Sequence, residues 1–332
     1  MNPTDEAGTD SQSMPAPAQA RGGALPAKET TRVRSGAAYG SRTVLSEPVF
    51  KRILYLSGIS LLLLLSAVFA SLFIASVPAM KHHGFGFLIG MVWDPVAGRF
   101  GALPFLVGTL LTSFLALLIS LVFSLAVSIF LGEYFRSGIM SSFIKTVVEL
   151  LAGIPSVIYG FWGLFFFVPA VRWVELQIGV LPYGVGILTS ALVLSIMIIP
   201  YSASLGREVI GLVPGDLKEA AFSLGATRFE VIRKIILPYA RSGILAGVML
   251  SLGRALGETM AVTMVIGNSN MLPKSIFSPA NTMASIIANE FSEATGTIYL
   301  ASLTEIALVL FVVTAVINIA GKIIIIKMSV ER

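Results

Sequence analysis

The sequence predicts an all-α membrane protein with six transmembrane helices, and three observations carry that prediction. Of its 332 residues 55% are hydrophobic, more apolar surface than one soluble core could hide. Only 12% are charged, about half the roughly 25% usual for soluble domains. The charges that exist are separated by runs longer than the roughly 20 residues that cross a hydrocarbon core.

Residues 53–80, 100–132 and 176–206 contain no Asp, Glu, Lys or Arg. Three further runs are interrupted: 146–171 by Glu149, 242–273 by Arg254 and Glu258, and 294–321 by Glu305. Helix breakers such as Pro155, Gly160 and Gly163 fall within them, which a helical bundle tolerates because neighbours re-satisfy freed backbone groups. A β-barrel would instead show short alternating segments.

Lys and Arg set the orientation. Seven precede the first span, six lie in the 201–243 loop (Arg207, Lys218, Arg228, Arg233, Lys234 and Arg241), and three end the chain. The alternate loops are poorer, so both termini are expected in the cytoplasm. Residues 1–48 are rich in Ala, Gly, Pro, Ser and Thr and are expected to form a flexible tail. The permease domain would then occupy 49–332. The span from Ile53 starts too far in, and runs too long, for a cleaved signal peptide.

Function classes fall away with the same composition. The net charge of +5 comes from 23 basic and 18 acidic residues, scattered between apolar runs rather than clustered on a soluble face, which excludes nucleic-acid binding. Cysteine is absent, and with it disulfides, thiolate metal sites and a cysteine nucleophile. The two histidines, His82 and His83, have no acidic neighbour and are expected to be solvated in an outer loop rather than to bind metal.

The loop between the fourth and fifth spans is the most elaborated segment. Pro214-Gly215 predicts a turn, with Asp216 and Glu219 as a capping box opening a helix at Leu217 that Gly225 closes. Leu217, Ala220, Ala221 and Leu224 give that helix one apolar stripe for a partner surface. A second box, Thr227 and Glu230, opens another helix to Leu237, ended or bent by Pro238. Two short capped helices about a glycine hinge form a suitable lever.

These residues carry a resemblance. Glu219-Ala220-Ala221, Gly225, Ile235 and Leu237-Pro238 match in spacing the EAA signature of permease subunits in bacterial ABC importers, placing a coupling loop over about 214–238. Gly253-Arg254-Ala255-Leu256-Gly257-Glu258-Thr259-Met260-Ala261-Val262 resembles the signature of the phosphate-specific (Pst) permeases. Trp93-Asp94-Pro95, Phe100-Gly101-Ala102-Leu103-Pro104-Phe105 and Gly108-Thr109 resemble the PstC branch rather than PstA. The similarity runs from about residue 50 to the end.

The resemblance implies a type I ABC importer permease fold working with a PstA-like second permease, a PstB-like ATPase dimer and an external PstS-like phosphate-binding protein. It implies that Glu219, Ala220, Ala221, Gly225, Leu237 and Pro238 couple to the ATPase. ATP and Mg would be used by that partner, with no cofactor bound by this chain. No GxxxxGK[ST] loop occurs in the sequence, as expected if hydrolysis lies elsewhere.

Arg254, Glu258 and Glu149 are the candidate substrate-pathway residues. A fifth span starting near Ile244 would put Arg254 about 15 Å deep, where an arginine costs at least roughly 2.5–3.5 kcal/mol unless it faces a cavity or a counter-charge. Its planar fork suits phosphate oxygens. Glu258, one turn on, would share its helical face and could accept a protonated phosphate oxygen, rejecting fully ionised sulfate. In the competing reading Arg254 pairs with Glu258 or Glu149 only to neutralise buried charge. Glu149, just before Leu150–Ser156, would border a conduit opened at Pro155, or be interfacial beside Lys145. Glu305 is expected at a helix or subunit contact. The alternatives in function are a sulfate, molybdate or phosphonate permease and, with less support, a secondary transporter, which would not need the EAA arm.

Overall fold

The computed structural model describes residues 47–330. The tail expected over residues 1–48 lies, up to residue 46, outside the described residues. Two units are distinguished, residues 1–58 and 59–332. The described part of the first is helical, with Ser57 Oγ donating to the Ile53 carbonyl at 2.9 Å. The second unit holds the candidate site.

In chain order α1 (Glu47–His83) and the single turn α2 (Gly86–Ile89) lead to α3 (Leu103–Ile129), which runs into a π-helical turn at Phe130–Tyr134. Then follow α4 (Ile139–Gly153), α5 (Ser156–Ile178) and α6 (Ile187–Gly211). The arm comprises α7 (Gly215–Ser223), α8 (Arg228–Val231) and a second π-helical turn, Ile232–Ile236, continuous with α9 (Leu237–Leu256). The chain ends in α10 (Met260–Val265), α11 (Met283–Glu290) and α12 (Thr297–Val330). Among the described residues six helices are long and apolar enough to cross a membrane.

Two expected spans are redrawn. The run 146–171 is broken where Pro155, in extended geometry (φ −57°, ψ 137°), separates α4 from α5, so the third span is Ser156–Ile178. Proline lacks the N–H a continuing helix needs and biases the residue before it away from helical geometry. The run 242–273 is broken at Gly257, and the fifth span is Arg228–Leu256. Pro238 neither ends nor bends the arm away from the membrane, because it sits in the first turn of α9, where the missing N–H is harmless.

The core centres on α6, whose Ile187, Ala191, Leu194 and Ile198 are buried against Ala261, Val262 and Val265 of α10. Small residues on α3 recur every fourth position at Gly108, Thr112, Ala116, Ser120, Ser124 and Ser128, all buried. This stripe brings α3 close to α6, the small-residue packing that helices use where no hydrophobic drive separates them from lipid. A polar side chain ties this contact, Ser128 Oγ donating to the Ala203 carbonyl at 3.1 Å, and another ties α9 to α6, Ser251 Oγ donating to the Ile198 carbonyl at 3.2 Å.

Gly160 and Gly163 let α5 lie against α10 and α6. A Cβ at Gly163 would stand 2.4 Å from Val193 Cγ2, and one at Gly160 2.9 Å from the Ala261 Cα. Gly163→Ala is expected to cost about 1–3 kcal/mol through overpacking, measured as a lower unfolding midpoint in detergent.

Candidate functional site

Arg254 occupies the last turn of α9. The helix stops at Leu256, Gly257 caps it at φ −94° and ψ 0°, and Glu258 follows in the break. The two side chains still meet, with Arg254 Nη2 3.2 Å from Glu258 Oε2. The expectation that they share one helical face is therefore corrected: the turn at Gly257, not helical periodicity, brings them together. The depth expectation rested on a helix starting near Ile244, whereas the helical stretch that carries Arg254 runs from Arg228 to Leu256.

The pair is asymmetric. The Glu258 side chain is 3% exposed and that of Arg254 40%. Glu258 Oε1 also accepts from the Ala261 N–H at 3.3 Å, occupying one of the free amides in the first turn of α10. One carboxylate oxygen is thus committed to the backbone and the other to Arg254. Arg254 makes a long contact to Met197 Sδ, 3.9 Å, and presents the rest of its guanidinium outward. The buried carboxylate fixes the position of the guanidinium.

Glu149 does not join this pair. It is exposed on α4 and lines a separate cavity with Lys145, Arg207 and Ser204. Glu305 is buried, as a contact residue should be, yet its Oε2 has no hydrogen-bond partner. His82 is exposed, whereas His83 is half-buried at the end of α1, its ring 5.5 Å from Phe100 and 6.2 Å from Phe87. Both histidines close the last turn of α1 rather than lying in a loop, and of the two only His82 is solvated. Among the described residues no cluster of His, Asp and Glu could hold a metal.

The arm follows the α6 end. Its first helix starts at Gly215 after Pro214 (φ −55°, ψ 137°), with no side-chain cap, so the Asp216–Glu219 box does not form. Proline already supplies the extended N-cap geometry and moves the start ahead of Asp216. Glu219 is thereby relieved of a capping role, and both it and Ala220 are exposed. At the other end Gly225 adopts φ +83°, and the Gly225→Phe222 and Ala226→Ala221 backbone bonds, 2.9 and 3.1 Å, form a Schellman closure. The second box is present, with the Glu230 N–H donating to Thr227 Oγ1 and the Thr227 N–H to Glu230 Oε2.

Of the apolar stripe only Ala221 is buried within this chain. Together with Val231, Ile232 and Ile236 it packs on Ile210 and Val213 at the end of α6. Leu217, Leu224, Phe222 and Phe229 stay exposed. Beside them Leu224, Gly225, Glu230, Lys234 and Ile235 border a cavity of about 330 Å³. Leu237 is half-buried and Pro238 exposed. The arm is therefore fixed to the membrane helices by one side and offers an apolar surface on the other.

Two networks were not visible in the sequence. Lys218 of α7 is buried and its Nζ lies 2.5 Å from Glu133 Oε2 in the π-helical turn that ends α3. Glu133 Oε2 also meets Arg136 Nη2 at 3.0 Å. The extra residue per turn there is what aims Glu133 at the arm. Elsewhere Glu290 Oε2 accepts from Trp93 Nε1 at 2.8 Å and Tyr299 Oη at 2.6 Å, and Oε1 from Asn270 Nδ2 at 3.2 Å. Trp93, Phe100 and Phe105 pack edge to face at 4.9 and 5.2 Å over Met283 and Leu303. The Trp93–Phe105 motif thus builds one corner that pins α11. Glu290→Ala would leave three donors without their acceptor, and is expected to destabilise the protein by about 1–3 kcal/mol, read as faster hydrogen exchange over 283–290.

A model of the family described as "Binding-protein-dependent transport system inner membrane component" matches residues 124–330. The chain is 44% identical over 298 residues to the phosphate transport system permease protein PstC of Haemophilus influenzae, covering 85% of this chain and 94% of that one. It is 43% identical to PstC of Mesorhizobium japonicum, covering 88% and 92%. The chain belongs to the PstC permease family. Members of this family are inner membrane transport components by description, and this one is accordingly a multi-pass membrane protein. In fold it resembles the permease of the MetNI methionine ABC transporter in an inward-facing conformation, with a TM-score of 0.53, 18% identity and 71% of this chain matched to 99% of that one. It also resembles a chain of a bacterial alginate ABC transporter complex, with a TM-score of 0.54, 19% identity and 83% matched to 96%. The type I importer permease fold expected from the EAA and GRALGETMAV residues is the fold observed.

Proposed function

We propose that this chain is the PstC-type permease of an ATP-driven importer that carries inorganic phosphate into the cytoplasm. The observation that supports it best is the Arg254–Glu258 pair: a fixed, solvent-reachable guanidinium beside a buried carboxylate. The guanidinium offers a planar fork to phosphate oxygens. The carboxylate would accept a hydrogen bond from the P–O–H that singly and doubly ionised phosphate still carry, and would repel fully ionised sulfate, which has none. That the family's members are named for phosphate supports the choice of anion over sulfate, molybdate or phosphonate.

The partners of this reading are a PstA-like permease completing the conduit, a PstB-like ATPase dimer and a PstS-like binding protein. The exposed Leu217, Phe222, Leu224 and Phe229 form the surface on which the ATPase would seat, with ATP and Mg used there and not by this chain. Closure of the ATPase would push the arm, and the Lys218–Glu133 contact would carry the push into α3. Both termini and the arm lie in the cytoplasm in this reading, by the distribution of Lys and Arg. Substrate choice is tested by competition: labelled phosphate uptake into cells depending on this transporter should fall with excess unlabelled phosphate and not with equal sulfate or molybdate. Equal competition by sulfate would refute phosphate selectivity.

A further inference from the structure

Glu305 on α12 is 7% exposed, and among the described residues its Oε2 has no hydrogen-bond partner. It stands at one end of a cavity of about 440 Å³ whose other walls, including Met80, Leu106, Val309, Val312 and Val313, are apolar. Glu305, Val309 and Val312 follow one another along one side of the helix. At 1.5 Å per residue the groove from Glu305 to Val313 runs about 12 Å along the axis. A buried carboxyl with neither donor nor counter-charge is costly, and an intramembrane acid of this kind ordinarily marks a partner.

The groove has a direction. Glu305 is eight residues from the start of α12 at Thr297, and Val313 is near the middle of that 34-residue helix. Met80 is close to the end of α1 at His83. A helix of 34 residues, about 51 Å long, centred on a hydrocarbon core of roughly 30 Å, puts Glu305 within about one turn of the core's edge. The polar end of the groove therefore lies toward the membrane surface and the apolar end toward its middle, whichever side is which. A phospholipid has the same axial order.

We propose that this groove binds a phospholipid with a primary-ammonium headgroup. The ammonium donates to the Glu305 carboxyl and an acyl chain lies along Val309, Val312 and Val313. Charge complementarity selects the headgroup: a choline group has no N–H to donate, and a net anionic headgroup would bring negative charge to a carboxyl. The readout is binding, so it does not depend on which anion is carried.

The test uses the full chain, purified with the subunits that accompany it, in nanodiscs of equal phosphatidylethanolamine and phosphatidylcholine. Native mass spectrometry counts the lipids retained on stripping. Phosphatidylethanolamine should be retained about tenfold over phosphatidylcholine, the size of one charge-assisted hydrogen bond. Glu305→Leu should abolish the preference, and because it removes a buried unpaired acid it should leave assembly intact in the same spectra. Val309→Trp, which fills the groove without touching the carboxyl, should lose the retained lipid altogether. Three results would overturn the proposal: equal retention by the unaltered protein, a preference that survives Glu305→Leu, or a crosslink to a helix of another subunit from a photoreactive thiol reagent attached to Val312→Cys, showing protein in the groove.

Discussion

Arg254→Gln is expected to lower phosphate uptake by about ten- to a hundredfold, the loss of one charge-assisted contact at roughly 1.5–3 kcal/mol, while the complex still assembles. The reason lies in the asymmetry of the pair, because the Arg254 side chain is 40% exposed and that of Glu258 3%. The arginine is held but not used up. A purely structural pair makes a different forecast. If Arg254 only neutralises Glu258, the double variant Arg254→Gln/Glu258→Gln removes both charges and should restore transport. If Arg254 meets the anion, the double variant should assemble well and remain inactive. Uptake and complex yield, measured on both variants, separate the two readings.

Glu133→Leu should be more damaging than Lys218→Met, although both break the same contact. Removing Glu133 strands a lysine whose side chain is 7% exposed, and an uncompensated buried charge costs about 3–5 kcal/mol. The half of that contact on Glu133 is 18% exposed, which places the expected cost toward 3 kcal/mol. Removing Lys218 leaves Glu133 with Arg136, 3.0 Å away, so about 1 kcal/mol is expected. Because the contact ties the arm to α3, Glu133→Leu should also uncouple ATP hydrolysis from uptake, with ATPase activity retained and phosphate entry lost. Coupled transport in both Glu133→Leu and Lys218→Met would show that the arm works without this link, and equal losses of stability would show that no buried charge is stranded.

The six crossings were legible because apolar length needs no partner to be read: each span overlaps the apolar run that predicted it. Their ends were not. Pro155 and Gly257 sit inside apolar runs, and hydropathy cannot tell a broken helix from a whole one. The Thr227–Glu230 box was read correctly because both halves are local. The Asp216–Glu219 box failed because Pro214 had already set the N-cap geometry. Glu258 was placed beside Arg254 for the wrong reason, a helical face that Gly257 interrupts. Lys218 and Glu133 are 85 residues apart, and Trp93 and Glu290 197 apart. No periodicity or spacing joins such pairs. The stripe from Gly108 to Ser128 was present in the sequence as small residues at every fourth position, and a search for that period would have found it.

Proteoliposomes holding this chain with a second permease, an ATPase and a phosphate-binding protein, loaded with ATP and Mg at the arm side, test the division of labour between conduit and engine most directly. Labelled phosphate should enter only when the ATPase and ATP are both present, and stop when either is withheld. Phosphate entry that continues without the ATPase would contradict it.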